Sequence, residues 1–332
     1  MDSVGDLARA LVLRTNQVRL REEMDQLAVE VSTGIVKDPA RHLGGDLTGL
    51  QAIDRSLARL ESFRVNTTEA AFLTDAMQTA LDEIQSRSET LSQSLIAADL
   101  TPNDALLGTM SEDAANALDQ TLNALNRSVA GRFMFSGTAT DRPAVQGLPA
   151  VLADLQGTLA GQTTVAGIDA ALDAYFGPGG GFETAIYQGS NTGLSPLQLS
   201  DSESASVDIR ASDPVFRKVL QPLAMAALAA DGTLALDGKV QVELLAKAGR
   251  DLLAAQQDVV ELRAGLGALE ARIEETTARN ASERTATQLA RLDLVGADQY
   301  EAATRYETIR AQLESLYAIT ARSQRLSLAE YL

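Results

Sequence analysis

Cysteine and tryptophan are absent from the 332-residue chain, and histidine occurs once, at His42. Without cysteine there is no disulfide framework, no thiolate nucleophile and no Cys/His zinc site. A Ser-His-Asp arrangement would have to use His42, which stands in the turn Arg41-His42-Leu43-Gly44-Gly45 and reads as an exposed loop residue. Aromatic residues make up only 4% against 45% hydrophobic residues, so the apolar surface is mostly Ala, Leu, Val and Ile. That composition suits helices packed on helices better than a β-sandwich. Long apolar runs are missing too: Leu223–Ala230 falls far below the ~18 residues a membrane-spanning helix needs. Cations are scarce, with 28 Lys plus Arg against 45 Asp plus Glu and a net charge of −17. Such a surface repels phosphate backbones and anionic lipid, so neither nucleic acid nor membrane is an expected partner.

The opening residues carry Asp2 and Asp6 where a secretory signal carries positive charge, and Ala10–Leu13 is too short for its apolar core. No cleaved signal peptide is expected. The glycines do not form a dinucleotide or phosphate-binding loop, and no nucleophile elbow, zinc helix or calcium loop occurs. The acidic pairs Glu22-Glu23 and Glu274-Glu275 point around a helix rather than at each other. No catalytic, cofactor-binding or metal-ligating residue is therefore expected. An enzyme would need a pocket that the sequence does not advertise.

What is present is heptad spacing. Leu13, Leu20, Met24, Leu27 and Val31 form a seam that stops at Ser32-Thr33-Gly34 and Asp38-Pro39. Leu50, Ile53, Leu57 and Leu60 begin a second stripe, and Met77, Leu81, Ile84, Leu91 and Leu95 continue it out of phase. The pair predicts one helix near 47–98 whose buried face rotates between Leu60 and Ala70. Thr101-Pro102 restarts a helix that is expected to run to about Ala130 and end at Gly131. Leu292, Val295, Gln299, Ala302, Tyr306, Ile309, Leu313, Leu316 and Thr320 alternate by 3 and 4, which predicts one continuous C-terminal seam.

The middle differs. Residues 143–209 contain no Lys or Arg, yet hold Asp154, Asp169, Asp173, Glu183, Asp201, Glu203 and Asp208. Helical patterns at Leu148–Leu159 and Ile168–Phe176 precede the glycine-rich Gly177-Pro178-Gly179-Gly180-Gly181. Strands are expected at Phe182–Tyr187, Leu197–Ser200 and Ser206–Arg210. Asp213-Pro214 then opens another helix toward Ala230. The expected fold is mainly α: a long antiparallel helical bundle or coiled coil from paired N- and C-terminal segments, with a small mixed α/β insert in the middle.

Three segments resemble the flagellin and flagellar hook-associated protein superfamily. Val29-Glu30-Val31-Ser32-Thr33-Gly34 with Asp38-Pro39-Ala40 is similar to the family's turn between its first two helices, although Lys37-Asp38 replaces the usual double Asp. Gly131-Arg132-Phe133-Met134-Phe135-Ser136-Gly137-Thr138 is similar to the segment that closes its N-terminal helical part. Leu326-Ser327-Leu328-Ala329-Glu330-Tyr331-Leu332 resembles the ending of the hook-associated branch more than a leucine-rich flagellin tail. The resemblance implies an inner coiled-coil domain of residues 1–40 and 290–332. It further implies a helical rod of 41–140 and 212–289, and an outer variable insert at 141–211. It implies a structural axial protein of the extracellular flagellum that joins hook to filament, seeds flagellin assembly and leaves through the flagellar type III apparatus. Implied partners are flagellin, the neighbouring hook-associated protein, copies of itself in a ring and a cytoplasmic export chaperone. Subunit contacts are expected at the seam residues, with Leu328, Tyr331 and Leu332. A bulk filament subunit and a cytoplasmic coiled-coil scaffold are the alternatives.

Overall fold

The computed structural model describes residues 4–97 and 104–329. It is mainly α, with long helices and two very short antiparallel strand pairs. The elements in order are α1 (Val4–Thr33), α2 (Pro39–His42), α3 (Thr48–Ile96), α4 (Asp104–Leu125), β1 (Ser128–Val129) and β2 (Arg132–Phe133). They continue with α5 (Leu148–Leu159), α6 (Val165–Phe176), β3 (Leu197–Gln198), β4 (Ser204–Ala205), α7 (Pro214–Ala229), α8 (Gly238–Val295) and α9 (Gln299–Ala329). The chain forms two compact units, residues 1–61 with 281–332 and residues 62–280.

In the larger unit, one continuous core joins α3, α4, α7 and α8 with the insert. The buried stripe of α3 runs Leu60, Phe63, Thr67, Ala70, Thr74, Met77, Leu81, Ile84, Ser88, Leu91 and Leu95. That is unbroken 3,4 spacing. The rotation expected between Leu60 and Ala70 is thus a single phase step at Leu57-Leu60-Phe63, beside the boundary between the units. Thr67 and Thr74 fill seam positions with hydroxyls that bond back to Arg64 and Ala71 carbonyls at 3.1 Å each, so the stripe continues where no aliphatic residue marks it. On α8 the matching stripe includes Leu245, Leu252, Val259, Leu266 and Ile273. Gln78 on α3 donates to the Arg263 carbonyl at 2.9 Å, and Arg263 answers with ion pairing to Asp82 at 3.0 Å. α7 is buried almost all round because its sequence is the chain's most apolar run. Its C-terminus is closed by Ser111 of α4, whose Oγ lies 2.7 and 2.8 Å from the Ala226 and Ala227 carbonyls and accepts from the Ala230 amide at 3.1 Å.

Several expectations are corrected here. α4 ends at Leu125, not near Ala130. Ala130 and Gly131 have φ of 51° and 77° and form the two-residue turn of a hairpin pairing Ser128 with Phe133. Phe182–Ile186 is one π-helical turn rather than a strand, packed through Phe182 and Ile186. The expected strand Ser206–Arg210 is displaced: pairing ends at Leu197 opposite Ala205, and residues 206–209 run on without a ladder. The continuous C-terminal helix is broken at 296–298. Strands at Leu197 and helices at Leu148–Leu159, Val165–Phe176 and Pro214–Ala229 stand close to where the sequence places them. The expected restart at Thr101-Pro102 lies outside the described residues.

Candidate functional site

In the smaller unit α1 and α9 pair antiparallel. Leu20, Leu27, Ala302, Ile309 and Leu313 are buried in one seam, with Met24, Val31, Tyr306 and Leu316 half-buried against it. Leu13 is half-buried as well. The seam is clasped from outside: Arg21 Nε donates to Tyr317 Oη at 2.9 Å and the guanidinium lies 5.7 Å from that ring's centre. Hydrogen bonds from Gln17 and Arg21 hold the Tyr317 hydroxyl below its ordinary pKa. Neither Arg21 nor Tyr317 sits on a seam position, so hydrophobic spacing does not find them.

The turn that joins these helices to the rest of the unit is built from main chain. Val36 donates to the Val295 carbonyl and Ala297 to the Gly34 carbonyl, both at 2.9 Å. Gly34 has φ of 68°, and a Cβ there would stand 3.2 Å from Gln299 Nε2. Asp298 caps α9 by accepting from Tyr300 and Glu301 amides at 2.9 and 3.0 Å. This break moves the stripe. Val295 is fully buried, but Leu292 is 45% exposed and is not part of the α1/α9 seam. The inward positions of α8 at this end are instead taken by Arg284 and Arg291, which pair with Glu61 at 3.3 Å and Asp54 at 2.8 Å. Tyr331, Leu332 and the Leu328 side chain lie outside the described residues. His42 is exposed at the end of α2.

The segment 131–137 occupies the larger unit. Gly131 is the second turn residue of the β1/β2 hairpin, and Arg132 reaches Glu69 of α3 at 2.7 Å. Phe133 is half-buried and its amide donates to the Thr140 carbonyl at 2.9 Å. Phe135 is fully buried and meets Phe216 edge-to-face, with centroids 5.6 Å apart. Ser136 Oγ donates to the Arg142 carbonyl at 2.9 Å, and its own carbonyl accepts from Ser190 at 2.8 Å. Gly137 has φ of 59°, and a Cβ would fall 2.4 Å from the Ser190 carbonyl oxygen and 2.6 Å from that of Thr192. Only glycine fits. These residues tie α3, α7 and the loop at 190–192 together; they form a structural knot.

The acid-only stretch is held by cations that lie outside residues 143–209. Asp169 pairs with Lys247 at 3.0 Å, Glu183 with Arg217 at 2.9 Å, Glu203 with Arg279 at 3.2 Å and Asp208 with Arg210 at 3.2 Å. Asp154 accepts from Tyr175 Oη at 2.7 Å, and Asp173 from Gln221 at 2.6 Å. Burial and the Asp154 carboxylate push the Tyr175 hydroxyl above its ordinary range. The hydrogen bond from Thr276, followed by that from Arg279, holds Glu203 below the usual carboxylate value. The absence of cations in 143–209 was the readable signal; the partners become visible only when the chain folds. Among the described residues no group of His, Cys, Asp or Glu is arranged to hold a metal, and no helix is long and apolar enough to cross a membrane.

Residues 252–332 match the family described as the bacterial flagellin C-terminal helical region. Among solved structures, Bacillus cereus FlgL superposes with a TM-score of 0.52 at 15% identity, covering 73% of this chain and all of that one, 100%. A protein of Vibrio parahaemolyticus described as a flagellar hook-associated protein gives a TM-score of 0.50 at 12% identity, covering 74% of this chain and 95% of that one. No curated protein matches the chain by sequence. The matched region takes in the later part of α8 and all of α9, the helix that pairs with α1. The chain is thus similar to the bacterial flagellin C-terminal helical region over residues 252–332, and its fold is similar to those of the flagellar hook-associated protein and FlgL.

Proposed function

We propose that the chain is the structural protein that joins the flagellar hook to the filament and seeds flagellin assembly. The observation that carries this reading is the α1/α9 pair: a two-helix seam of Leu20, Leu27, Ile309 and Leu313 with a single buried face. Such a pair gains most of its remaining burial from neighbours. Leu11, Val12, Val18 and Ile319 stay exposed on the same helices, and assembly into a ring of copies would cover them. The seam residues, with Leu328, Tyr331 and Leu332, are assigned to subunit contacts and, before export, to a chaperone. Flagellin and the neighbouring hook-associated protein are the assigned partners in the axial structure. Residues 1–40 with 290–332 are assigned to the inner domain, 41–140 with 212–289 to the rod, and 141–211 to the outer part. Export through the type III apparatus to the extracellular flagellum suits a chain without cysteine, which avoids covalent traps while unfolded.

The likeness to FlgL and the Leu-Ser-Leu-x-x-Tyr tail favour the junction over the filament body. The flagellin C-terminal match favours the second reading, a bulk filament subunit. Deleting the gene separates them by electron microscopy of the cells and assay of the medium. Completed hooks without filaments, with unpolymerised flagellin outside, are expected. Hooks without filaments and no other major flagellin would make this the filament subunit, and unaltered filaments would overturn both.

A further inference from the structure

We propose that the extended segment Ser206–Ile209 and the groove beside it dock an extended peptide, apolar at alternate positions with lysine or arginine between them. The inference is independent of the junction reading. The segment has the alternation of a half-buried strand: Val207 is 6% exposed and Ile209 half-buried, while Ser206 and Asp208 face solvent. On one side residues 193–195 run along it, with Gly193 against the Asp208 carboxylate and Leu194 and Ser195 beside Val207, but no ladder forms there. None of its four amides or four carbonyls has a hydrogen-bond partner among the described residues. The β3/β4 ladder that would continue alongside it stops at Pro196. An extended main chain whose polar groups on the side away from residues 193–195 are unpaired is a template for one more strand.

Next to the segment lies a groove of about 600 Å³, within the range of ligand-binding clefts. Leu262, Leu266 and Leu269 of α8 supply apolar wall opposite Val207 and Ile209. Three carboxylates, Asp208, Asp258 and Glu261, line it against one ammonium, Lys218. Lys218 is already engaged by Asp258, and Asp208 by Arg210, whereas Glu261 has no ion pair among the described residues. The charge left over is negative, on a chain whose net charge is −17. An acidic peptide is repelled there, and a basic one is drawn in. Main-chain pairing would supply affinity, and the alternate pockets would select apolar side chains on every second residue.

The test uses the full chain and an acetylated, amidated eight-residue peptide of alternating lysine and valine. Saturable binding is expected by calorimetry, with the amides of 206–209 becoming protected from hydrogen exchange. An otherwise identical glutamate–valine peptide should bind at least about tenfold more weakly, and Glu261→Lys should weaken the lysine peptide by a similar factor. Gly265 lines the groove and has open space where a Cβ would stand, so Gly265→Phe fills it at a helical site where glycine is a poor helix former. That variant should lose binding while its main unfolding transition is unchanged. No saturable binding, equal binding of the acidic peptide, or binding untouched by both variants would overturn the proposal. So would self-association of the free chain that Gly265→Phe abolishes, since a second copy would then be the occupant.

Discussion

The two units use the same 3,4 periodicity to opposite effect. In residues 62–280 the stripe of α3 meets α4, α7 and α8, so Met77, Leu81, Leu118 and Leu252 are inaccessible and the insert adds Phe176 and Phe182 to the same core. In residues 1–61 and 281–332 the stripe of α1 meets that of α9, and among the described residues nine make up that cluster, four of them only half-buried. Periodicity therefore specifies which face a helix buries, not how deeply. Depth comes from how many elements share the face, and it sets local stability. A thick core stands alone. A single seam is left with little beyond its own pairing, and that is the physical basis for assigning it to assembly.

The comparison breaks most completely at the seam. Leu313→Asp with Leu316→Asp places carboxylates in the apolar face. The double variant is expected to be synthesised with its main thermal transition intact and to be absent from sheared flagella; normal incorporation would remove the seam from the assembly surface. A matched pair of truncations sharpens the contrast. Leu81→Ala should destabilise the main transition by about 2–5 kcal/mol, whereas Leu20→Ala should leave that transition in place and only speed exchange along α1 and α9. Equal shifts in denaturant midpoint would mean the two units unfold as one.

A smaller effect is expected from acid. Glu203 has a lowered value in the folded chain, so its contribution is complete above its ordinary value near 4.5 and is lost as pH falls through the folded one. Protection factors of residues 197–205, taken against the intrinsic exchange rate at each pH, should fall as pH falls from about 5 to 3, and Glu203→Gln should flatten that response. Asp213 works the other way, since burial raises its value and it takes up a proton more readily when folded. Following the 197–205 segment keeps the two apart. The smallest change is a gain: Ser88 is buried on α3 with its Oγ unpaired among the described residues, and Ser88→Ala should stabilise the larger unit by about 1 kcal/mol in chemical denaturation.

Long-period features were legible in the sequence. The α1 and α9 seams, α5 with its observed ends, and the capped start of α7 all follow from spacing, prolines and turn residues. What the sequence hid is partly local hydrogen bonding and partly contact between residues distant along the chain. Thr67 and Thr74 carry no aliphatic mark for hydrophobic spacing to follow, yet they fill the buried stripe because each hydroxyl bonds within its own helix. Leu292 keeps the heptad count across Gly296 but not the geometry, since the Gly34 and Val36 main-chain bonds break the helix there. Gly131 looked like a helix stop because glycine suits both a C-cap and a hairpin turn, and only the pairing of Ser128 with Phe133 decides. The acid-only composition of 143–209 was visible, but Lys247 and Arg279, which answer it, lie far down the chain.

Segment-resolved hydrogen exchange on the isolated, full-length monomer tests the central claim most directly, that the terminal seam is built to be completed by neighbours. Amides of α1 and α9 should exchange through local opening well before those of α3 beyond residue 62, α4 and α7, and should become protected in assembled material. Protection of α1 and α9 in the free monomer equal to that of α4 and α7 would contradict it.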